Sequence, residues 1–151
     1  MRSKTTWFLV ADGARARIYT TEGRGIDLKP VFSHDFAAPT RAPGRAVNTD
    51  RPGRTFDSGG QGRHAMDPQT DWQTHEKRMF VKSLTAELEK GVESNAYDRL
   101  VLVASPEILG YLREDISKNA GRLVVAEINK DLTHLDPLRL SEHLRGELKL
   151  D

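Results

Sequence analysis

The sequence predicts an α/β or α+β sandwich, in which a single mixed β-sheet of about five strands carries flanking helices. Three observations predict it. Short apolar runs of strand length recur at Trp7–Ala11, Leu100–Ala104 and Leu123–Ile128. From residue 71 onward such runs alternate with helical patterns, as βαβ units do. The 151 residues, 37% hydrophobic and 30% charged, are one domain's worth and enough for one solid core. Residues 1–151 are therefore expected to form a single domain, with the order β-β-β-long loop-α-β-α-β-α.

The elements follow from local chemistry. Trp7-Phe8-Leu9-Val10-Ala11 is a strand, and Asp12-Gly13 is a hairpin turn signal. Arg15–Tyr19 alternates polar and apolar residues, so a second strand returns antiparallel. Arg24-Gly25 breaks the chain before a third candidate strand, Leu28–Phe36. Phe80, Leu84 and Leu88, joined by Val81 and Val92, form one apolar stripe at i, i+4 spacing, which predicts an amphipathic helix over about residues 71–94. Leu100–Ala104 is a continuous apolar run, as in a strand covered on both faces. Ser105-Pro106-Glu107 reads as an N-cap with Pro at the first helical position, opening a helix through about Asn119. Leu123–Ile128 is a second buried strand. Asp136-Pro137 repeats the cap signal and starts a last helix with Leu138, Leu140, Leu144 and Leu148.

Composition excludes several function classes. With no cysteine, disulfides, thiol catalysis and Cys-based zinc sites are ruled out. No apolar run approaches the roughly 20 residues that span a bilayer, and the stretch after Met1-Arg2-Ser3-Lys4 is too short for a signal peptide. A cytoplasmic protein without a membrane partner is expected. There is no P-loop, no GxGxxG and no GxSxG. No cofactor and no metal site are expected, since the histidines lack metal-ligand spacing. His134 reads as a satisfied structural residue at a strand-to-helix junction. The net charge of +1 hides an asymmetry: residues 1–70 hold 11 Lys+Arg against 7 Asp+Glu, and residues 71–151 hold 12 against 15.

Residues 36–70 stand apart. They contain 9 of the 19 Gly and Pro residues, and five arginines (Arg41, Arg45, Arg51, Arg54, Arg63) but no lysine. Routine connections run about 4–6 residues, so a segment of this length is either disordered or functional. Within it, Asp57-Ser58-Gly59-Gly60-Gln61-Gly62-Arg63-His64 is the most specific local feature. Its glycines permit backbone conformations that side chains forbid. Such a segment can press N–H groups against a phosphate or a developing oxyanion, while arginines grip phosphate in a bidentate fashion. His64 is the neighbouring general acid/base candidate. The bland alternative is a surface loop with a solvated arginine face.

Four ordered blocks resemble the bacterial host attachment protein family. They are Trp7-x-Leu9-Val10-Ala11-Asp12-Gly13-Ala14-Arg15-Ala16-Arg17-Ile18, Arg51-Pro52-Gly53-Arg54-x-Phe56-Asp57-Ser58, Gly62-Arg63-His64-Ala65-Met66 and Asn129-Lys130-Asp131-Leu132-Thr133-His134. The resemblance covers nearly the whole chain. It implies distant similarity to the middle domain of archaeal and eukaryotic class-1 peptide-chain release factors, whose Gly-Gly-Gln loop promotes peptidyl-tRNA hydrolysis. Gly59-Gly60-Gln61 falls where that loop would be, after the strands and before the long helix. The resemblance thus implies Gly59, Gly60 and Gln61 as catalytic candidates and the ribosome or a structured RNA as partner, beside the catalytic candidate His64 and the phosphate contacts Arg41, Arg45, Arg51, Arg54 and Arg63 read from the residues themselves. Two other readings stay open. One is a non-catalytic module that binds a protein partner, or itself as a homo-oligomer, in surface attachment or its regulation. The other is a magnesium-dependent nuclease using Asp12 and Asp131.

Overall fold

The computed structural model describes residues 4–23, 25–39 and 68–148. The chain runs β1 (Thr5–Ala11), β2 (Arg15–Glu22), β3 (Lys29–Pro30), β4 (Phe36–Ala37), α1 (Pro68–Glu93), β5 (Arg99–Ala104), α2 (Pro106–Asp115), α3 (Lys118–Gly121), β6 (Val124–Asn129) and α4 (Pro137–Leu148). The expected mixed sheet is present, with strand order β3-β2-β1-β5-β6 and β4 also paired to β2. β1 and β2 are antiparallel, whereas β1, β5 and β6 run parallel.

Asp12 closes the β1–β2 hairpin, as its position predicts. Its N–H donates to the Arg15 carbonyl at 2.9 Å. Its Oδ1 accepts from the N–H groups of Ala14 at 2.8 Å and Arg15 at 2.7 Å. A short carboxylate that bonds its own backbone two or three residues on is the reason Asp favours such turns.

Helices cover both faces of the sheet. Trp7, Leu9 and Ala11 of β1, with Leu100, Leu102 and Ala104 of β5, pack under Phe80, Val81, Leu84 and Leu88 of α1 and Ile108, Leu109 and Leu112 of α2. Phe8, Val10, Val101 and Val103 pack on the opposite face under Leu140 and Leu144 of α4, beside Ile26, Leu28 and Leu132. Both faces of β1 and β5 are thus apolar, which is why these strands read as unbroken hydrophobic runs. Near the end of α1, Gly91 admits two aromatic rings. A Cβ there would lie 2.7 Å from Tyr97 and 2.9 Å from Trp7. Those rings stack at 4.5 Å, and the Tyr97 hydroxyl donates to the Leu88 carbonyl at 2.7 Å. Burial, and then the charge of Glu89, raises the Tyr97 hydroxyl above its ordinary pKa.

Several expectations need correction. The predicted strand over 28–36 is two short pairings instead, because Pro30 offers no N–H to a ladder and the chain bends over Val31–His34. That bend brings Phe32 edge-on to Trp7, 6.3 Å between centroids. The helix from Pro106 stops at Asp115 rather than near Asn119. Ser117 competes for the backbone: its Oγ accepts from the Ala120 N–H at 3.0 Å and caps the separate turn α3. Ser105 occupies the N-cap position of α2, but its side chain makes no cap hydrogen bond. Asp136 does cap α4, accepting from the Arg139 N–H at 2.8 Å. Leu138 is 71% exposed and contributes nothing to the core. β6 is a half-exposed edge strand in which only Ile128 is buried, and a register shift opposite Leu100/Val101 leaves Val125 59% exposed. His134 is exposed, not a packed junction residue.

Candidate functional site

The arginine- and glycine-rich segment connects β4 to α1, and both flanks meet the same edge of the sheet. The Ala38 N–H donates to the Ala14 carbonyl at 2.8 Å, tying the departing chain to the β1–β2 turn. On the returning side, the stem of Lys77 lies on Gly13, where a Cβ would come within 3.0 Å of Lys77 Cγ. Gly91, farther along α1, touches Trp7 near the start of β1. α1 therefore runs antiparallel to β1. The nine residues before Lys77 carry α1 about 13 Å beyond the turn at 1.5 Å per residue. Trp72 and His75 sit on this projection, both exposed, with ring centroids 6.2 Å apart.

This edge is also where the parallel strands β1, β5 and β6 end. In open α/β sheets, ligands bind outside the carboxyl ends of the strands. Here those ends supply Asp12, Ser105 and the turn after Asn129. Side chains tie α1 to α2 at this edge. Lys77 Nζ pairs with Glu107 Oε1 at 3.0 Å, and Tyr111 donates to Glu107 Oε2 at 3.2 Å. Arg78 pairs with Glu114 at 2.8 Å while its guanidinium lies 4.7 Å from the centre of the Tyr111 ring. The Glu114 hydrogen bond raises the Arg78 pKa above its ordinary value. Burial and then the Glu107 contact raise that of Tyr111. Water screens exposed ion pairs of this kind, so they orient α1 more than they hold the fold.

Asp12 and Asp131, chosen from the sequence as a carboxylate pair, are brought together by Thr133. The Thr133 hydroxyl lies 2.6 Å from Asp131 Oδ1 and 3.2 Å from Asp12 Oδ2, and can donate its one proton to either. Asp131 Oδ1 also accepts from the Thr133 N–H at 3.1 Å. Turn hydrogen bonds thus account for both carboxylates, joining the β1–β2 hairpin to the β6–α4 turn. Among the described residues no three His, Asp or Glu side chains gather as metal ligands. Gly59, Gly60, Gln61 and His64, like Arg41, Arg45, Arg51, Arg54 and Arg63, lie outside the described residues. Sequence reasoning passed over Thr133 and Lys77. The Asp-x-Thr spacing of an Asx turn was a usable signal for Thr133, whereas nothing local marks Lys77.

Comparison with known proteins decides the family. The model for "Protein required for attachment to host cells" matches residues 7–144. The chain belongs to that family. An uncharacterized protein of Rickettsia prowazekii is 31% identical over 68 residues, which are 44% of this chain and 45% of that protein. The chain thus matches less than half the length of this relative. Among solved structures, an archaeal translation termination factor superposes with a TM-score of 0.51 at 6% identity, over 96% of this chain and 39% of the factor. The likeness is one of fold. It covers the sheet and its helices, and it agrees with the distant release-factor similarity that the sequence blocks imply. No helix among the described residues is long and apolar enough to cross a membrane.

Proposed function

We propose that this protein is a cytoplasmic, RNA- or ribosome-associated domain whose arginine- and glycine-rich segment contacts phosphate and promotes hydrolysis of the peptidyl-tRNA ester. The observation that supports the reading is the fold likeness to the termination factor, taken with a Gly59-Gly60-Gln61 sequence that precedes α1 in the chain. In this reading Arg51, Arg54 and Arg63 neutralise phosphates, and Arg41 and Arg45 extend the same basic track. Gly59 and Gly60 let the backbone turn tightly enough for the Gln61 N–H to face the oxyanion that develops as the ester is attacked. His64 serves as the nearby proton carrier. The reading needs one domain, residues 1–151, and no cofactor.

Ribosome co-sedimentation at moderate salt tests it. The parent chain is expected to sediment with ribosomes, and replacing Arg51, Arg54 and Arg63 with Ala should weaken that binding. The salt dependence should flatten by about 0.7 in slope per lost contact on single-stranded RNA and about 0.9 on a duplex. Replacing Gly59 and Gly60 with Ala should leave binding intact but block ester hydrolysis, with Gln61→Ala milder. A parent chain that never sediments with ribosomes at low salt sinks the reading. A second reading, a non-catalytic protein-binding module, draws on the family's description by attachment to host cells. It leads if pull-down yields a protein partner from cells and no RNA.

A further inference from the structure

α1 carries two apolar faces. Phe80, Val81, Leu84 and Leu88 are buried against the sheet. Trp72 and Met79, seven residues apart, are 46% and 50% exposed. Seven residues are almost two full turns, so these side chains lie on one line along the helix. His75 stands exposed between them, and Ala86 continues the line one heptad further on. The line runs on roughly the opposite side of α1 from the buried stripe. Single exposed apolar side chains are ordinary, whereas a row of them on one face marks a contact surface. Tryptophan and methionine are also types enriched at protein interfaces.

Charge indicates what this face meets. Asp71 stands beside Trp72, and Glu76 borders the stripe one turn on, so a polyanion does not suit it. Other charges of the helix are paired within the protomer: Lys77 with Glu107, Arg78 with Glu114 and Lys90 with Glu87. Asp71 and Lys82 are exposed and form no ion pair among the described residues. Both lie on the same flank of the stripe, the acid near its start and the base three turns later. An acid at one end, a base at the other and Trp72 and Met79 between them make a pattern complementary to its own reverse.

We propose that α1 pairs antiparallel with α1 of a second copy of this chain, about a twofold axis that passes between residues 75 and 76. In that register Trp72 of each copy packs on Met79 of the other, so the apolar contact occurs twice. Turning one helix end for end brings like flanks together, which sets Asp71 of each copy within one turn of Lys82 of the other. The buried stripes face away from the contact, and the two cores stand on opposite sides of the joined helices. Glu76 of the two copies approach each other on the far flank, a repulsion that the two ion pairs offset. Such a contact between two helix faces is smaller than the roughly 1,200 Å² of a standard interface, so the dimer belongs to the weak, reversible class. The inference is independent of the RNA-associated reading.

Sedimentation of the full chain from micromolar to millimolar concentration tests it, with a reversible monomer–dimer equilibrium as the expected result. Trp72→Ala should weaken the dimer about tenfold or more and leave the melting midpoint unchanged, because the side chain is exposed. Asp71→Lys or Lys82→Glu alone should weaken it about fivefold, since each breaks two symmetric pairs. The double variant, with the charges exchanged, should regain the parent's affinity; no recovery overturns the register. The chain has no cysteine, so His75→Cys puts a single thiol at the axis. Under mild oxidation it should form a disulfide-linked dimer far faster than Leu138→Cys, which alters an exposed residue of α4. Equal rates overturn the placement. A chain that stays monomeric at millimolar concentration, or a dimer indifferent to Trp72→Ala, overturns the proposal. Loss of ribosome association on Trp72→Ala in a chain that is monomeric throughout assigns the face to RNA and overturns the second copy as its occupant.

Discussion

β5 and β6 come from nearly the same kind of sequence and have different fates. Arg99-Leu100-Val101-Leu102-Val103-Ala104 is buried from its second residue onward. Val124-Val125-Ala126-Glu127-Ile128-Asn129, also rich in β-branched residues, is buried only at Ile128. Position in the sheet makes the difference. β5 lies between β1 and β6 with helices over both faces, whereas β6 is last in the strand order and has an open edge among the described residues. Its register shift and the exposed Glu127, paired to Arg113 at 2.6 Å, make that edge a poor template for a further strand.

The sharpest way to break this contrast is Leu102→Ala, which opens a cavity at a residue only 1% exposed. Chemical denaturation should show a loss of about 2–5 kcal/mol. A second strike at the centre is Tyr97→Phe, which removes the donor to the Leu88 carbonyl beneath Trp7 and should cost about 1.5 kcal/mol at neutral pH. Because the folded state holds the Tyr97 proton more tightly than the unfolded chain, this contribution is fully present below the ordinary tyrosine pKa, about 10. It fades as pH rises above that value, since the unfolded chain then binds fewer protons. Melting curves at rising alkaline pH should therefore converge for parent and variant; a constant gap would refute the linkage. At the periphery, Asp136→Ala should cost about 1 kcal/mol through its lost cap, and Ser105→Ala distinctly less, because Ser105 makes no such bond. The smallest effect belongs to Val125→Ala on the edge strand, expected within about 0.5 kcal/mol by melting midpoint. A loss there as large as that at Leu102 would mean that β6 is covered in solution.

Much of the fold was legible because its signals are local. The apolar runs of β1 and β5, the Asp12 turn, the stripe Phe80–Leu84–Leu88 and the Asp136 cap each depend on residues within a few positions of one another. Errors arose where neighbours distant in sequence decide the outcome. Ser117 leaves the helix path with its hydroxyl bonded to Glu89 of α1, Phe32 leaves a strand path to reach Trp7, and Leu138 faces solvent although it sits beside an apolar stripe. The candidate site divides in the same way. The arginine- and glycine-rich segment announces itself by composition, being rich in Arg, Gly and Pro and poor in large apolar side chains. The junction of Asp12, Thr133 and Asp131 and the seat of Lys77 on Gly13 could not be read there. By itself the sequence determined the class of fold, the family and the segment to suspect. Tertiary structure alone decided which strand stands at the edge and which side chains meet at the strand ends, because sheet order and helix coverage are set by contacts between residues dozens of positions apart.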